Sequence, residues 1–197
     1  MQDKTGMPGQ EQSATKTYIT TIGGRRFDPT SPAREDIDIG DIAHSLSLLC
    51  RANGHFREFF SVARHCLNCA GEARERGLTA RIQLLCLLHD ATEAYIGDMT
   101  RPLKRQLPEY CACEVRLYGE ILASLGIAPP DDREAAAVRE IDDCMLYHEF
   151  RLYNGESLLA EAPAVHVEVE GSERPPGQTR EEYLACYRAL REETEPC

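Results

Sequence analysis

The chain has 197 residues, of which 42% are hydrophobic, and it carries a formal net charge of −11. This length predicts one domain with a sizeable core plus tails. The acidic balance argues against a non-specific grip on a nucleic-acid backbone, so we expect a small-molecule partner and neither nucleic acid nor membrane. A phosphate-bearing ligand would then need a metal or a local group of cations. The candidate cations are Arg25, Arg26, Arg51, Arg101, Lys104 and Arg105.

The N-terminal stretch differs in composition from the rest of the chain. Residues 1–16 are polar and aperiodic, which predicts a disordered arm ahead of a single domain over 17–197. Residues 18–22 are rich in β-branched side chains and precede Gly23 and Gly24, which predicts a short strand and a turn.

Apolar residues at helical spacing dominate the remainder and predict a mainly α fold. The expected helices begin near Asp38 or Asp41 and then span about 59–76, 80–95, 109–125, 131–153 and 179–190. Capping patterns, Asp131 with Glu134 and Thr179 with Glu182, predict the starts of the last two. A Pro- and Gly-rich loop at about 162–178 separates them, and residues 165–169 could form an edge strand within it.

Four polar side chains fall on or beside the apolar faces of three of these helices: His65, His89, Asp90 and Asp142. Burying imidazoles together with carboxylates is costly unless a cation pairs them, so the set predicts a metal site. Its nitrogen and oxygen donors suit zinc, cobalt, manganese or iron, with magnesium as a further option for substrate phosphates.

The choice between Asp142 and Asp143 depends on helical periodicity. Asp142 has Val138, Met145 and Leu146 as its neighbours one turn away, which predicts that it faces inward. The alternative for Asp142 is an ion pair with a buried arginine.

Nine cysteines raise the question of a disulfide or metal framework. No signal peptide precedes the domain and no apolar run approaches about 20 residues, so we expect a cytoplasmic protein, or one of the host cytoplasm if phage-encoded. Cys66 and Cys69 lie on one helix face, and core packing is favoured over a redox or zinc role. Cys111 and Cys113 receive the same interpretation.

The motif order carries a family resemblance. His65, the His89-Asp90 pair and Asp142, with the sequence around Leu88–Asp98 and Met99–Lys104, resemble the HD-domain metal-dependent phosphohydrolases, in the branch of YfbR-type 5′-deoxynucleotidases and phage dATP triphosphohydrolases. The match runs from about Gly23 to Tyr153. It implies an HD-domain helical bundle with short peripheral β-strands and these four residues as metal ligands. Arg64 departs from the acidic residue that this branch often has before the first histidine.

The resemblance also implies roles around the ligands. Glu93 shares a helix face with His89 and Asp90, and the resemblance implies that it is the general acid/base, the alternative being an ordinary ion-paired carboxylate. By resemblance Asp98 binds a sugar hydroxyl, although an Asp after Gly97 is also typical of a turn.

Substrate contacts beyond the motif follow from residue chemistry. Arg51 and Lys104 are our choices for phosphate, although either could be a surface cation. His55 is a further pocket candidate.

The leading hypothesis is a metal-dependent phosphohydrolase of nucleotides, most simply 2′-deoxynucleoside 5′-mono- or triphosphates such as dATP, working as a homo-oligomer. One alternative is a catalytically silent nucleotide or metal sensor with the same fold. Another is a hydrolase of cyclic nucleotides or alarmones.

Overall fold

The computed structural model describes residues 18–169 and 173–194. The predicted mainly α fold is confirmed: helices dominate, and within these ranges the sheet has two short strands. The predicted disordered arm over 1–16 lies outside the described residues. No helix in the described ranges is both long and apolar enough to cross a membrane.

The elements follow in chain order. The strands are β1, Ile19–Thr20, and β2, Arg26–Phe27. The helices are α1 Ile39–Leu48, α2 Val62–Glu75, α3 Ala80–Leu88, α4 Glu93–Ile96, α5 Arg101–Lys104, α6 Pro108–Ser124, α7 Asp132–Asn154 and α8 Pro176–Thr194. Single 3₁₀ turns cover Arg34–Asp36 and Arg51–Gly54.

The two strands form a hairpin that is tied to α1. Ile19 pairs with Phe27 in antiparallel register. The Asp41 carboxylate accepts hydrogen bonds from the Gly23 backbone N–H at 2.9 Å and from Arg25 Nη1 at 3.1 Å. Because Asp41 is nearly buried, these donors offset the loss of its hydration and fix the hairpin against the bundle.

The centre of the bundle is formed by α2, α3 and α8. Residues 84–88 of α3 are all buried, which explains why this helix is apolar on every side. The fully buried Tyr183 of α8 donates its hydroxyl to the Leu87 carbonyl at 2.9 Å, so its one polar atom is satisfied in the core. Helices α1 and α7 pack against this centre from outside.

The helix expected over 80–95 is interrupted, and this is a correction. Helix α3 ends at Leu88, residues 89–92 form a turn, and α4 starts at Glu93. In the turn the Ala91 N–H donates to the Leu88 carbonyl and the Glu93 N–H to the Asp90 carbonyl, three residues back rather than four. Since no glycine or proline lies there, the sequence gives no local signal for the break, which places His89 and Asp90 at the exit from α3.

The two predicted helix starts have different outcomes. Asp131 and Glu134 form the capping box that opens α7, as predicted. The start predicted at Thr179 is wrong, because α8 begins at Pro176, whose missing N–H costs nothing at a first helical position. Thr179 lies buried in the first turn of α8.

The edge strand considered at residues 165–169 is absent. Instead, the buried Glu72 carboxylate of α2 accepts backbone N–H groups of His166 at 2.8 Å and Val167 at 3.0 Å. It also accepts from Arg76 Nε at 2.7 Å, and the His166 ring Nδ1 lies 2.8 Å from it. A side chain therefore takes the place of a partner strand for this segment.

Candidate metal centre

The structure brings together the four predicted ligands, here called the donor cluster: His65 of α2, His89 and Asp90 of the turn after α3, and Asp142 of α7. His65 Nε2 lies 3.3 Å from His89 Nε2 and 3.1 Å from Asp142 Oδ1. Asp90 Oδ2 is 3.2 Å from His89 Nε2. Four donor atoms that are distant in sequence thus converge on one point of the bundle.

The two imidazoles are oriented by contacts on their far sides. His65 Nδ1 donates to Glu149, 2.9 and 3.0 Å from its two carboxylate oxygens. His89 Nδ1 donates to the Cys86 carbonyl at 2.7 Å. Because a carboxylate and a carbonyl can only accept, the ring proton sits on Nδ1 in each neutral histidine and the Nε2 lone pairs point into the donor cluster.

The donor cluster fits a divalent metal ion. Ligand atoms about 2.1 Å from one ion lie about 3.0–3.4 Å apart in octahedral or tetrahedral arrangements. Three of the separations here, from 3.1 to 3.3 Å, fall within that range, and two others, from His65 Nε2 to Asp90 Oδ2 and from His89 Nε2 to Asp142 Oδ1, are 3.8 Å. In the neutral tautomers the cluster contains only acceptors, and a cation is what such a set requires.

The charged groups in and around the donor cluster shift one another's pKa values. Without a metal, Asp90 and Asp142 raise the pKa of His89 against its burial. Hydrogen bonds and charge from the protonated His65 and His89 rings hold the pKa of Asp142 far below its usual value despite its burial, and a bound cation would take the place of those protons. Burial likewise raises the pKa of Asp90, but the charges of His89 and Arg51 outweigh this effect and lower the pKa below its usual value. Both aspartates are therefore ionised at neutral pH, the form in which a carboxylate binds metal.

Asp142 is more buried than Asp143, as helical periodicity predicts. The Asp142 side chain is 22% exposed, whereas that of Asp143 is 60% exposed. Asp142 also contacts an arginine, although not a buried one as the alternative supposed: its Oδ2 accepts from the half-exposed Arg101 Nη2 at 2.7 Å while Oδ1 faces His65. One carboxylate serves both contacts through different oxygens.

Two buried thiols flank the donor cluster. His65, Cys69 and His89 form one group that could hold a metal ion, and Cys66, His89 and Asp90 form another, each with its ligand atoms within 4.8 Å. Burial raises the pKa of Cys66 to about 11, and that of Cys69 well above its usual value, so in the absence of a metal both thiols keep their protons. Both also pack against apolar core residues.

Arg51 lies inside the protein beside the donor cluster. Its side chain is 9% exposed, with Nη1 3.1 Å from Asp90 Oδ2 and Nη2 3.9 Å from Glu149 Oε2. Burial lowers its pKa, but the charges of Asp90 and Glu149 raise it well above the usual value. The residue predicted to contact phosphate is thus placed as the counter-ion of two buried carboxylates.

The turn after Arg51 has an unusual backbone. Ala52 and Asn53 both adopt left-handed conformations, with φ values of 52° and 51°. Such values cost about 1 kcal/mol or more for a residue with a Cβ, and they concentrate at functional sites. Here the strained turn presents the Ala52 N–H to the Asp98 carboxylate.

Glu93 combines burial with an unpartnered oxygen. It is 7% exposed, and its Oε2 has no hydrogen-bond partner among the described residues. Burial and the negative charges of Asp90 and Asp98 raise its pKa well above the usual value. This buried carboxyl group follows His89 and Asp90 of the donor cluster by four and three residues.

The other predicted substrate residues are Asp98, Lys104 and His55, and they differ in their burial and in their contacts. Asp98 is half-buried, and burial raises its pKa. Lys104 Nζ lies 2.6 Å from Glu114 Oε1. His55 is exposed on the left-handed turn, and no contact joins its ring to the donor cluster in the described part of the chain.

Sequence reasoning missed Glu149. It is fully buried, and it lies seven residues after Asp142, two turns along the same face of α7. Its i−4 neighbour, Met145, is also fully buried. The acidic residue on the buried face of α7 was the sequence feature that could have identified Glu149. The contact of Arg101 with Asp142 has no such feature in the sequence.

Comparison with known proteins gives relatives but no family assignment. No family model matches the chain. It is 38% identical over 113 residues to the uncharacterised protein YfdR of Escherichia coli, covering 57% of this chain and 61% of that protein. An uncharacterised Rhodobacter capsulatus protein is 37% identical over 118 residues, covering 57% of this chain and 60% of its own length. The chain thus spans about three fifths of each relative.

Proposed function

We propose that this protein is a metal-dependent phosphohydrolase of the HD-domain type that acts on nucleotides, with 2′-deoxynucleoside 5′-phosphates as substrates. The observation that carries the proposal is the nearly buried carboxyl of Glu93, whose Oε2 has no hydrogen-bond partner among the described residues, on the chain segment that directly follows His89 and Asp90 of the donor cluster. Metal ligands and a proton donor within one site are what phosphate ester hydrolysis requires.

Each part of the site has a chemical task in this proposal. A bound divalent ion would polarise a phosphoryl oxygen and make a water more acidic. His65 and His89 present Nε2, and Glu149 and the Cys86 carbonyl keep them in the tautomer that does so. Glu93 would act as the general acid that gives a proton to the leaving oxygen.

The arrangement around Glu93 favours an enzyme over a silent sensor. A buried carboxyl oxygen without a partner is destabilising, by about 1–3 kcal/mol in typical proteins. A protein that only binds metal or nucleotide has no use for such a group, whereas an acid catalyst needs a proton donor that substrate can reach.

A substrate screen tests the proposal. The full chain is incubated with Mn²⁺, Co²⁺, Zn²⁺ or Mg²⁺ and with ribo- and deoxynucleoside mono- and triphosphates, with cyclic nucleotides and alarmones included. Released phosphate is measured with malachite green, and products are identified by mass spectrometry. We expect hydrolysis of deoxynucleotides, and the products distinguish loss of one phosphate from loss of three. Binding without turnover of any of them would favour the sensor.

A further inference from the structure

A phosphate-bearing substrate would need a cation beside the donor cluster, and neither Arg51 nor Lys104 supplies one. The chain carries a net charge of −11, so a phosphate approaches against the overall field. Arg51 is buried against Asp90, and Lys104 is bound to Glu114. Neither presents an accessible guanidinium or ammonium group at the donor cluster.

Arg101 lies where such a cation is needed. Its Nη2 is 2.7 Å from Asp142 Oδ2, on the carboxylate whose other oxygen faces His65 at 3.1 Å. Its Nη1 is 2.5 Å from Asp143 Oδ1. The side chain is 47% exposed, so this guanidinium both borders the donor cluster and is open to solvent.

Arg101 also keeps unused hydrogen-bonding capacity. A guanidinium has five N–H groups, and two of them account for its contacts within the described residues. A divalent ion on Oδ1 of Asp142 would offset the charge of that carboxylate and leave Asp143 as the main counter-ion. A planar fork of this kind matches the oxygens of a phosphate.

We infer that Arg101 binds the phosphate group of the substrate, using N–H groups left free by Asp142 and Asp143. The inference rests on the proposed function for the identity of the substrate, and its physical content is an anion site beside the donor cluster. Arg51 then serves as an internal counter-ion, and Arg101 is the cation that phosphate meets.

The test measures binding without turnover. Inorganic phosphate is titrated calorimetrically into the full chain as purified, for the wild type, Arg101→Ala and Arg101→Lys. We expect Arg101→Ala to weaken phosphate binding by about 10-fold or more, the usual effect of losing a charged hydrogen bond. Arg101→Lys should fall between the two, because it keeps the charge but loses the fork.

Two controls separate phosphate binding from general charge and from a structural tie. Arg133→Ala removes an exposed positive charge in the first turn of α7 and should leave phosphate affinity near the wild-type value. Asp143→Asn removes the charge from the exposed ion pair of Arg101 with α7 while keeping the cation, and should keep or increase affinity. Loss of affinity in Asp143→Asn equal to that in Arg101→Ala would show that only the tie between helices matters and overturn the inference.

Nucleotide hydrolysis on the same preparations distinguishes the two proposals. Wild-type protein that binds phosphate through Arg101 but hydrolyses no nucleotide would reject the phosphohydrolase and keep the anion site. Hydrolysis with unchanged phosphate affinity in Arg101→Ala, or a wild type that binds no phosphate, would reject the anion site.

Discussion

Glu149 and His65 form a fully buried pair in which the carboxylate accepts the Nδ1 proton of the ring, with both oxygens within 3.0 Å. The pair joins α7 to α2 behind the donor cluster. A carboxylate in this position fixes which nitrogen faces the ligand side and makes that nitrogen more basic.

Replacing Glu149 with Gln should therefore weaken metal binding while leaving all four ligands in place. We expect a 10- to 100-fold loss of Co²⁺ affinity, the usual effect of removing such a partner, measured by competition with a chelating dye. Glu140→Gln, an exposed position on the same helix, is the control and should bind as the wild type does. Equal affinities in both variants would mean that Glu149 only fills space.

His89→Ala should remove the metal itself. His89 Nε2 lies within 3.8 Å of a donor atom from each of the other three ligands, so its loss opens the donor cluster. Elemental analysis should find substoichiometric metal in this variant and normal metal in His44→Ala, whose half-buried histidine lies on α1. Full stoichiometry in His89→Ala would exclude His89 from the ligand set.

Glu93→Gln should separate chemistry from metal binding. Gln keeps the shape of the side chain but has no acidic proton, so we expect kcat to fall by about 100-fold or more with metal content unchanged. The exposed Glu109→Gln serves as the matched control. If Glu93→Gln turned over at the wild-type rate across the pH range, the buried carboxyl would have no part in proton transfer.

The sugar of the substrate is expected to be recognised near Asp98, whose carboxylate accepts the Ala52 N–H and lies close to Glu93. A pocket closed against the ribose ring would leave a 2′-hydroxyl without a partner, at about 1–3 kcal/mol. We predict a kcat/KM for a deoxynucleotide about 10-fold or more above that of the matching ribonucleotide. Asp98→Asn should lower turnover of both, and equal values for the two sugars in the wild type would contradict this role.

The sequence predicted the helices and the convergence of the predicted ligands better than it predicted the turns that join the helices. Asp142 is separated from Asp143 by a periodicity that any regular helix obeys, and the capping box at Asp131 is a purely local signal. The break after Leu88 has no local signal, because residues 89–92 contain neither glycine nor proline.

Long-range partners were equally out of reach. Residues 165–169 have the composition of a strand, but a single buried carboxylate on α2 accepts two of their backbone N–H groups. Likewise, nothing in the sequence around Arg101 pairs it with Asp142 across 41 positions. Interactions of this kind depend on the assembled fold and not on neighbouring residues.

Glu72 should make stability depend on pH in the acid range. Burial raises its pKa, but hydrogen bonds from His166, Arg76 and the Val167 backbone lower it to about 2. Because the folded value lies below the usual value of 4.5, the stabilisation is complete above about pH 4.5 and is lost as pH falls toward 2.

Urea unfolding of Glu72→Gln tests this directly. The variant should be less stable than the wild type at pH 7, and the gap should narrow as pH falls from 4.5 toward 2. Glu75→Gln, a more exposed position on the same helix, should show no such gap. A difference between wild type and Glu72→Gln that does not change with pH would indicate a packing effect instead of a charge effect.

Because of the break after Leu88, two residues of the donor cluster lie on regular helices and two lie in a turn. Asp142 projects from the middle of α7 and His65 from the first turn of α2, where Ser61 caps the helix, so backbone hydrogen bonds of regular helices resist displacement of both. His89 and Asp90 belong to a four-residue turn whose bonds reach back only three residues, and such turns change conformation more readily. Any adjustment of the site to ions of different radius should therefore occur in residues 89–92, with α2 and α7 acting as its fixed frame.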